Sequence, residues 1–315
     1  MSPPPGGQAL WVRFRDVVSA GPLYEIAGGK KVKSVEVTCD NRNIPLSIQR
    51  TVRQRCGFGC VICGFPLYEY DHIKGWANVH EHVAEDITLL CDLHHREATS
   101  GLLPRDKIIE ANKAPHNLQS GISKPLQLHF EGDSCEVHIG GNYFTTKMSG
   151  DYTESIPIIV DGIPLIAFIL QDGHLLLNVN LFDEYNQLVL RIVNNQLFYS
   201  ISPWDIKIVG KTLTIREKAR KMLIRMTYEP PNKVVIDKGR FLCNGVEILV
   251  DSDQILVTNN NTLISGCSST NCHGGLIIGP TSNPIGGFMS LQGISRYLGD
   301  SKASLAWAKS IKEEF

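Results

Sequence analysis

A chain of 315 residues is long enough for two domains and a sizeable core, and its 43% hydrophobic and 20% charged residues are those of a globular protein. A net charge of -1 excludes a uniformly basic surface, so a nucleic-acid partner would have to meet local basic patches. No apolar run reaches the roughly 18 residues of a membrane-spanning helix, and no charged-then-apolar leader opens the sequence, so the nine cysteines read as reduced thiols plus a metal site in the cytoplasm.

In chain order, residues 1–8 are rich in Pro and Gly and are expected to be disordered. Residues 9–45 hold short apolar runs broken by Gly21-Pro22 and Gly28-Gly29, which predicts two or three short strands in an N-terminal extension. Lys30, Lys31 and Lys33 form a small basic cluster, either a solvated turn or a phosphate contact. Residues 45–56 predict a short helix ending at Gly57, with Pro45 in its first turn, Ile48 and Val52 on its apolar stripe, and Arg50 and Arg53 off it. A further helix is expected over 106–118, interrupted at Pro115.

From Pro125 the texture changes to alternating apolar runs, such as Leu165–Leu170, Leu175–Leu181 and Val246–Val250. Turn signals separate them: Asp161-Gly162, Asp172-Gly173, Asn194-Asn195 and Asn244-Gly245. This spacing predicts a β-rich domain over 125–280, as a sandwich, barrel or short solenoid. Gly274 to Gly287 is expected to be irregular, and a C-terminal helix is expected over 301–314 within a tail from 281 to 315. The fold class expected for the whole is α+β.

The residues of chemical interest concentrate between Cys56 and Pro104. Cys60-x2-Cys63 and Cys91-x2-His94 are two knuckles with equal gaps and 27 residues between them, a pattern that fits a tetrahedral structural Zn2+. Cys56 could also pair with Cys60, but Cys-Val-Ile-Cys-Gly has the knuckle form, with Gly64 able to take a positive φ. His94 and His95 point about 100° apart on a helix, so His94 is assigned to the zinc and His95 is left for another centre. Cys267-x4-Cys272-His273 is a less regular second cluster.

These residues carry a resemblance. Cys60-x2-Cys63, Asp71-His72-Ile73, His82-x3-Asp86-Ile87 and Leu89-Leu90-Cys91-x2-His94-His95 together resemble the HNH endonuclease family of ββα-metal nucleases, over residues 50–105. The resemblance implies a nuclease module over 46–118, with His72 as general base at the end of the first strand of a hairpin. It makes Asp71 and His95 ligands of a catalytic Mg2+ or Mn2+. Asp86 stands where the family usually has Asn, which holds the hairpin loop or helps ligate the metal. His94 stands where a fourth cysteine is more common. The implied reaction is hydrolysis of phosphodiester bonds, with DNA preferred over RNA. His80 and His82 flank the loop, as polar cover or as phosphate or metal contacts.

Within 46–115 acids slightly outnumber bases, so grip on DNA would have to come from Arg50, Arg53, Arg55, Arg96 and Arg105 along one groove, or from Lys211 to Arg225. There, alternating Arg216, Lys218 and Arg220 are expected on one strand face, either as a basic surface or as a charged edge that blocks aggregation. The β-rich domain would serve recognition, regulation, or contact with a protein partner or second copy, as in a phage-defence or restriction effector. The rival expectation is a non-catalytic zinc-bound DNA-binding or scaffold protein.

Overall fold

The computed structural model describes residues 43–280 and 286–297. The strands expected in 9–45, the Lys30–Lys33 cluster and the helix expected over 301–314 lie outside the described residues. The fold is α+β with mostly strand and few helices. No described helix is long and apolar enough to cross a membrane.

The first part holds helix α1 (Leu46–Arg55), strand β1 (Glu69–His72), the short helix α2 (Trp76–Val79), a 3₁₀ turn (Ala84–Asp86), and strand β2 (Ile87–Leu90). Helices α3 (Asp92–Ser100), α4 (Arg105–Lys113) and α5 (His116–Ser120) follow. β1 and β2 pair antiparallel, with Asp71 opposite Thr88 and His72 opposite Ile87. Val52, Val61, Ile87, Leu89, Leu90, Ala98 and Ile108 form their small core, together with Cys56, Cys60 and Cys91.

The β-rich region forms two sheets. In one, the strands from Tyr152 to Tyr199 run as an antiparallel meander. In the other, a second meander runs from Asp205 to Ser265 and is extended by Ser134–Ile139 pairing parallel with Lys233–Cys243. Ile158, Phe168, Leu177 and Leu190 of the first share one apolar core with Ile215, Ile224, Phe241 and Ile248 of the second. The predicted turn chemistry is realised: Asp161, Gly162, Asp172, Gly173, Asn194, Asn195, Asn244 and Gly245 all have positive φ. Of the two-residue turns whose twist matches the flanking strands, type I′ requires that conformation at both positions.

Two expectations are corrected. Gly274–Ile278 is not irregular but a buried strand, parallel to Ile156–Val160. A Cβ at Gly275 would fall 2.3 Å from the Pro157 carbonyl oxygen and 2.6 Å from the Phe144 ring, so glycine is what lets this backbone pack there. Arg216, Lys218 and Arg220 do not share a strand face. Register shifts interrupt the pairing on both sides of Arg216, and Arg220 sits in the turn at φ +62.

The helical part and the β-rich region lie in one compact unit. The Arg53 guanidinium donates from Nε and Nη2 to the two carboxylate oxygens of Asp205 at 2.8 and 2.7 Å, and from Nη1 to the Tyr70 hydroxyl. Arg53 and Asp205 are both buried. Arg50 also reaches Asp205 and stacks over the Trp204 ring at 4.4 Å. The Tyr199 hydroxyl, buried in the sheet core, donates to the Phe58 carbonyl at 2.6 Å, just before the first cysteine knuckle.

Candidate functional site

Cys60, Cys63, Cys91 and His94 converge, with all four ligand atoms within 4.8 Å of one another. The Cys63 and Cys91 sulfurs are 3.8 Å apart, and His94 Nδ1 lies 3.4 Å from the Cys60 sulfur and 3.2 Å from that of Cys91. Zinc bonded tetrahedrally to thiolate and imidazole at its usual bond lengths separates its ligand atoms by about 3.5–3.8 Å. The four residues can therefore hold a structural metal such as zinc.

Local backbone explains why the donors meet. Cys60 N–H donates to the Phe65 carbonyl and Gly64 N–H to the Cys60 carbonyl, which closes the knuckle, and Gly64 takes φ +76 as its turn requires. Val61 N–H donates to the Leu89 carbonyl, so the knuckle is pinned to β2. Cys91 caps α3, and His94 follows on its first turn. The backbone amides of Cys91, Cys63 and Ile62 point at the Cys60 sulfur. The mutual hydrogen bond of Cys60 and Cys63 draws the Cys60 thiol pKa down and pushes that of Cys63 up. Cys56 stands apart, with its sulfur near Thr88 and Asn112, and burial raises its pKa. Among the described residues no other group of three or more such ligands gathers, so Cys267, Cys272 and His273 do not form a second cluster of this kind.

The turn of α3 that supplies His94 to the cluster sends His95 the other way. His95 Nε2 lies 3.5 Å from Asp71 Oδ1, and its Nδ1 lies 3.1 Å from Glu69 Oε2. Glu69 and Asp71 alternate on β1 and so share the face that meets α3. Asp71 is buried, and its second oxygen accepts from Arg105 Nη1 at the start of α4.

His72 closes β1. Its Nε2 lies 3.2 Å from His82 Nδ1, and Trp76 stacks on His82 with ring centres 4.7 Å apart. Burial, and then the neighbouring His82, lower the His72 pKa below the ordinary histidine value. Asp86 ends the 3₁₀ turn and is buried; its carbonyl accepts from Ile73 N–H at 2.8 Å, which ties the two ends of the intervening loop. Its Oδ1 is 3.8 Å from Lys74 Nζ, and its buried Oδ2 has no hydrogen-bond partner.

The arginines expected to line one groove do not act as a set. Arg53 is buried against Asp205, and Arg55 donates to the carbonyls of Ala84 and Ile87. Arg50 packs on Trp204, Arg105 is on Asp71, and Arg96 is exposed. In the Lys211–Arg225 stretch, Lys221 pairs with Glu217 and Arg225 with Asp237.

Sequence reasoning missed Glu69, Asn117 and Asp205. The period of two along β1 would have placed Glu69 beside Asp71. No local signal announces Asn117, which is fully buried and whose amide donates to the carbonyls of Gly57 and Gly64 at 2.9 and 3.3 Å. Compared with known protein families, curated proteins and solved structures, the chain matches none.

Proposed function

We propose that this chain is a metal-dependent endonuclease of the HNH type, hydrolysing phosphodiester bonds of DNA, with the β-rich region serving recognition or regulation. A defence or restriction effector is the setting such a fusion suits. The observation that carries the reading is the meeting of Asp71 and His95 across β1 and α3, with His72 one residue further along the strand and the Cys/His cluster fixing the first turn of α3.

The donor set fits a divalent cation. A buried carboxylate oxygen and an imidazole nitrogen stand 3.5 Å apart, within reach of one ion, and the Glu69 contact at the far nitrogen fixes the His95 tautomer. Asp71 and His95 would hold a Mg2+ or Mn2+, which would supply Lewis-acid stabilisation of the charge that builds on the phosphate. His72, held neutral near pH 7 by its lowered pKa, takes the proton of the attacking water and can share it with His82. The water oxygen bonds to phosphorus as the bond to the 3′ oxygen breaks, and the freed 3′ oxygen takes a proton from solvent, which leaves a 5′ phosphate and a 3′ hydroxyl. Asp86 holds the loop that carries His82 in place through its backbone.

Plasmid cleavage by the purified chain in Mg2+ or Mn2+, against His72→Ala with unchanged zinc content, tests the reading. Loss of a positioned base lowers the rate by about 10²–10⁴-fold. Wild type and variant equally inert in every metal would end the catalytic claim. One observation favours the second reading, a non-catalytic zinc-bound DNA-binding or scaffold protein: both Asp71 oxygens are already engaged by protein groups. That reading predicts one tight zinc per chain and no second ion.

A further inference from the structure

Arg105 differs from Arg53, Arg225 and Arg240 in how it meets its carboxylate. Arg53 and Arg225 each grip both oxygens of a carboxylate, and Arg240 bridges Glu217 and Glu247. Arg105 uses one nitrogen on one oxygen of Asp71, and its side chain is 38% exposed against 8% for Asp71. Among the described residues it has no other polar partner, so most of the five-donor fork is left for something else. Its place is also unhelpful to its own helix. It is the first residue of α4, where the helix dipole disfavours a cation.

The opposite carboxylate oxygen faces His95. The guanidinium therefore stands next to the two donors assigned to a divalent cation and competes with that cation for Asp71. We propose that Arg105 is an exchangeable cation of this site. It neutralises the buried Asp71 when no divalent ion is there, and turns to an anionic phosphate-ester oxygen when one is. The divalent ion at Asp71 and His95 and the identity of the anion both rest on the nuclease reading; Mn2+ binding tests the first without DNA or cleavage. Guanidinium suits both tasks, because its planar fork matches carboxylate and phosphate alike.

The rival role is plain positioning of Asp71, and the two roles predict opposite signs. Removing a group that merely orients a ligand weakens metal binding by about 10–100-fold. Removing a competing positive charge strengthens it. The experiment uses the full chain with its zinc, as wild type, Arg105→Gln and Arg105→Lys. Mn2+ affinity is read by electron paramagnetic resonance, and binding of a short DNA duplex in Ca2+ is read across a salt series.

Arg105→Gln is expected to bind Mn2+ about tenfold more tightly. It is also expected to bind the duplex more weakly, with the slope of log affinity against log salt reduced by about one, while Arg105→Lys keeps the wild-type slope. Mn2+ binding that weakens or stays the same in Arg105→Gln overturns the exchange, and an unchanged salt slope overturns the phosphate contact. If the wild type binds no duplex at all, the nuclease reading fails and the phosphate contact with it, whereas tighter Mn2+ binding in Arg105→Gln still identifies Arg105 as the competing cation.

Discussion

His94 and His95 are neighbours on one helix, yet they enter sites built on opposite terms. The Cys60–Cys63–Cys91–His94 cluster is closed: four soft donors face one another within 4.8 Å, and backbone amides cover the Cys60 sulfur. The Asp71–His95 pair is incomplete as a ligand set: one carboxylate and one imidazole, each already touched by a further protein group, Arg105 and Glu69. A closed set of four ligands holds structure, while an incomplete set leaves positions for water or substrate. The same contrast extends outward. The core around the cluster is small and includes three cysteines, whereas the two sheets share a large apolar core.

The largest effect expected follows from the closed site. Cys91→Ser, or strong chelation, removes an ion whose binding contributes about 10–16 kcal/mol in small zinc domains. Hydrogen exchange should show protection lost through 56–118 and kept in the strands of 152–265. Uniform loss through both would mean that the β-rich region depends on the cluster, and would break the contrast.

Next comes the clamp between the two regions. Asp205→Ala leaves Arg53 buried without its counter-charge and is expected to cost about 3–5 kcal/mol, read as a lowered unfolding midpoint. Replacing both partners by apolar residues should recover much of that loss, since no unpaired charge then stays buried.

Asn117→Ala is expected to cost about 1–3 kcal/mol, because it strands the Gly57 carbonyl and takes one of two donors from that of Gly64, which keeps the Lys124 N–H. Zinc release to a chelator should quicken in this variant, since those carbonyls frame the first knuckle. Unchanged release would mean that the knuckle keeps its shape without the asparagine. The smallest effect is expected at Arg225→Ala, whose partner Asp237 is itself partly exposed: at most about 1 kcal/mol, diminishing as salt is added.

What was legible in the sequence was local. The two-residue gaps of the knuckles, the opposed directions of His94 and His95, and the Asp-Gly and Asn-Gly turns each depend on residues close together, and each appears in the structure. What was not legible depends on distant partners or on the space around a backbone. The outward reading of Arg53 failed because Asp205, 152 residues away, gives it a buried partner. The start of the Gly274–Gly287 stretch, Gly274–Ile278, departs from the irregular reading because glycine signals a loop in sequence, while here it admits a strand against Pro157 and Phe144. The basic face over Arg216, Lys218 and Arg220 was lost to register shifts that composition does not reveal.

The most direct test of the contrast is an ion count on one preparation: zinc retained through dialysis, followed by Mn2+ titration of wild type, Asp71→Ala and His95→Ala. The account predicts one zinc per chain in all three proteins, and one weaker Mn2+ that only the wild type binds. A wild type with no site for Mn2+, or variants that lose Mn2+ only when they also lose zinc, would contradict it.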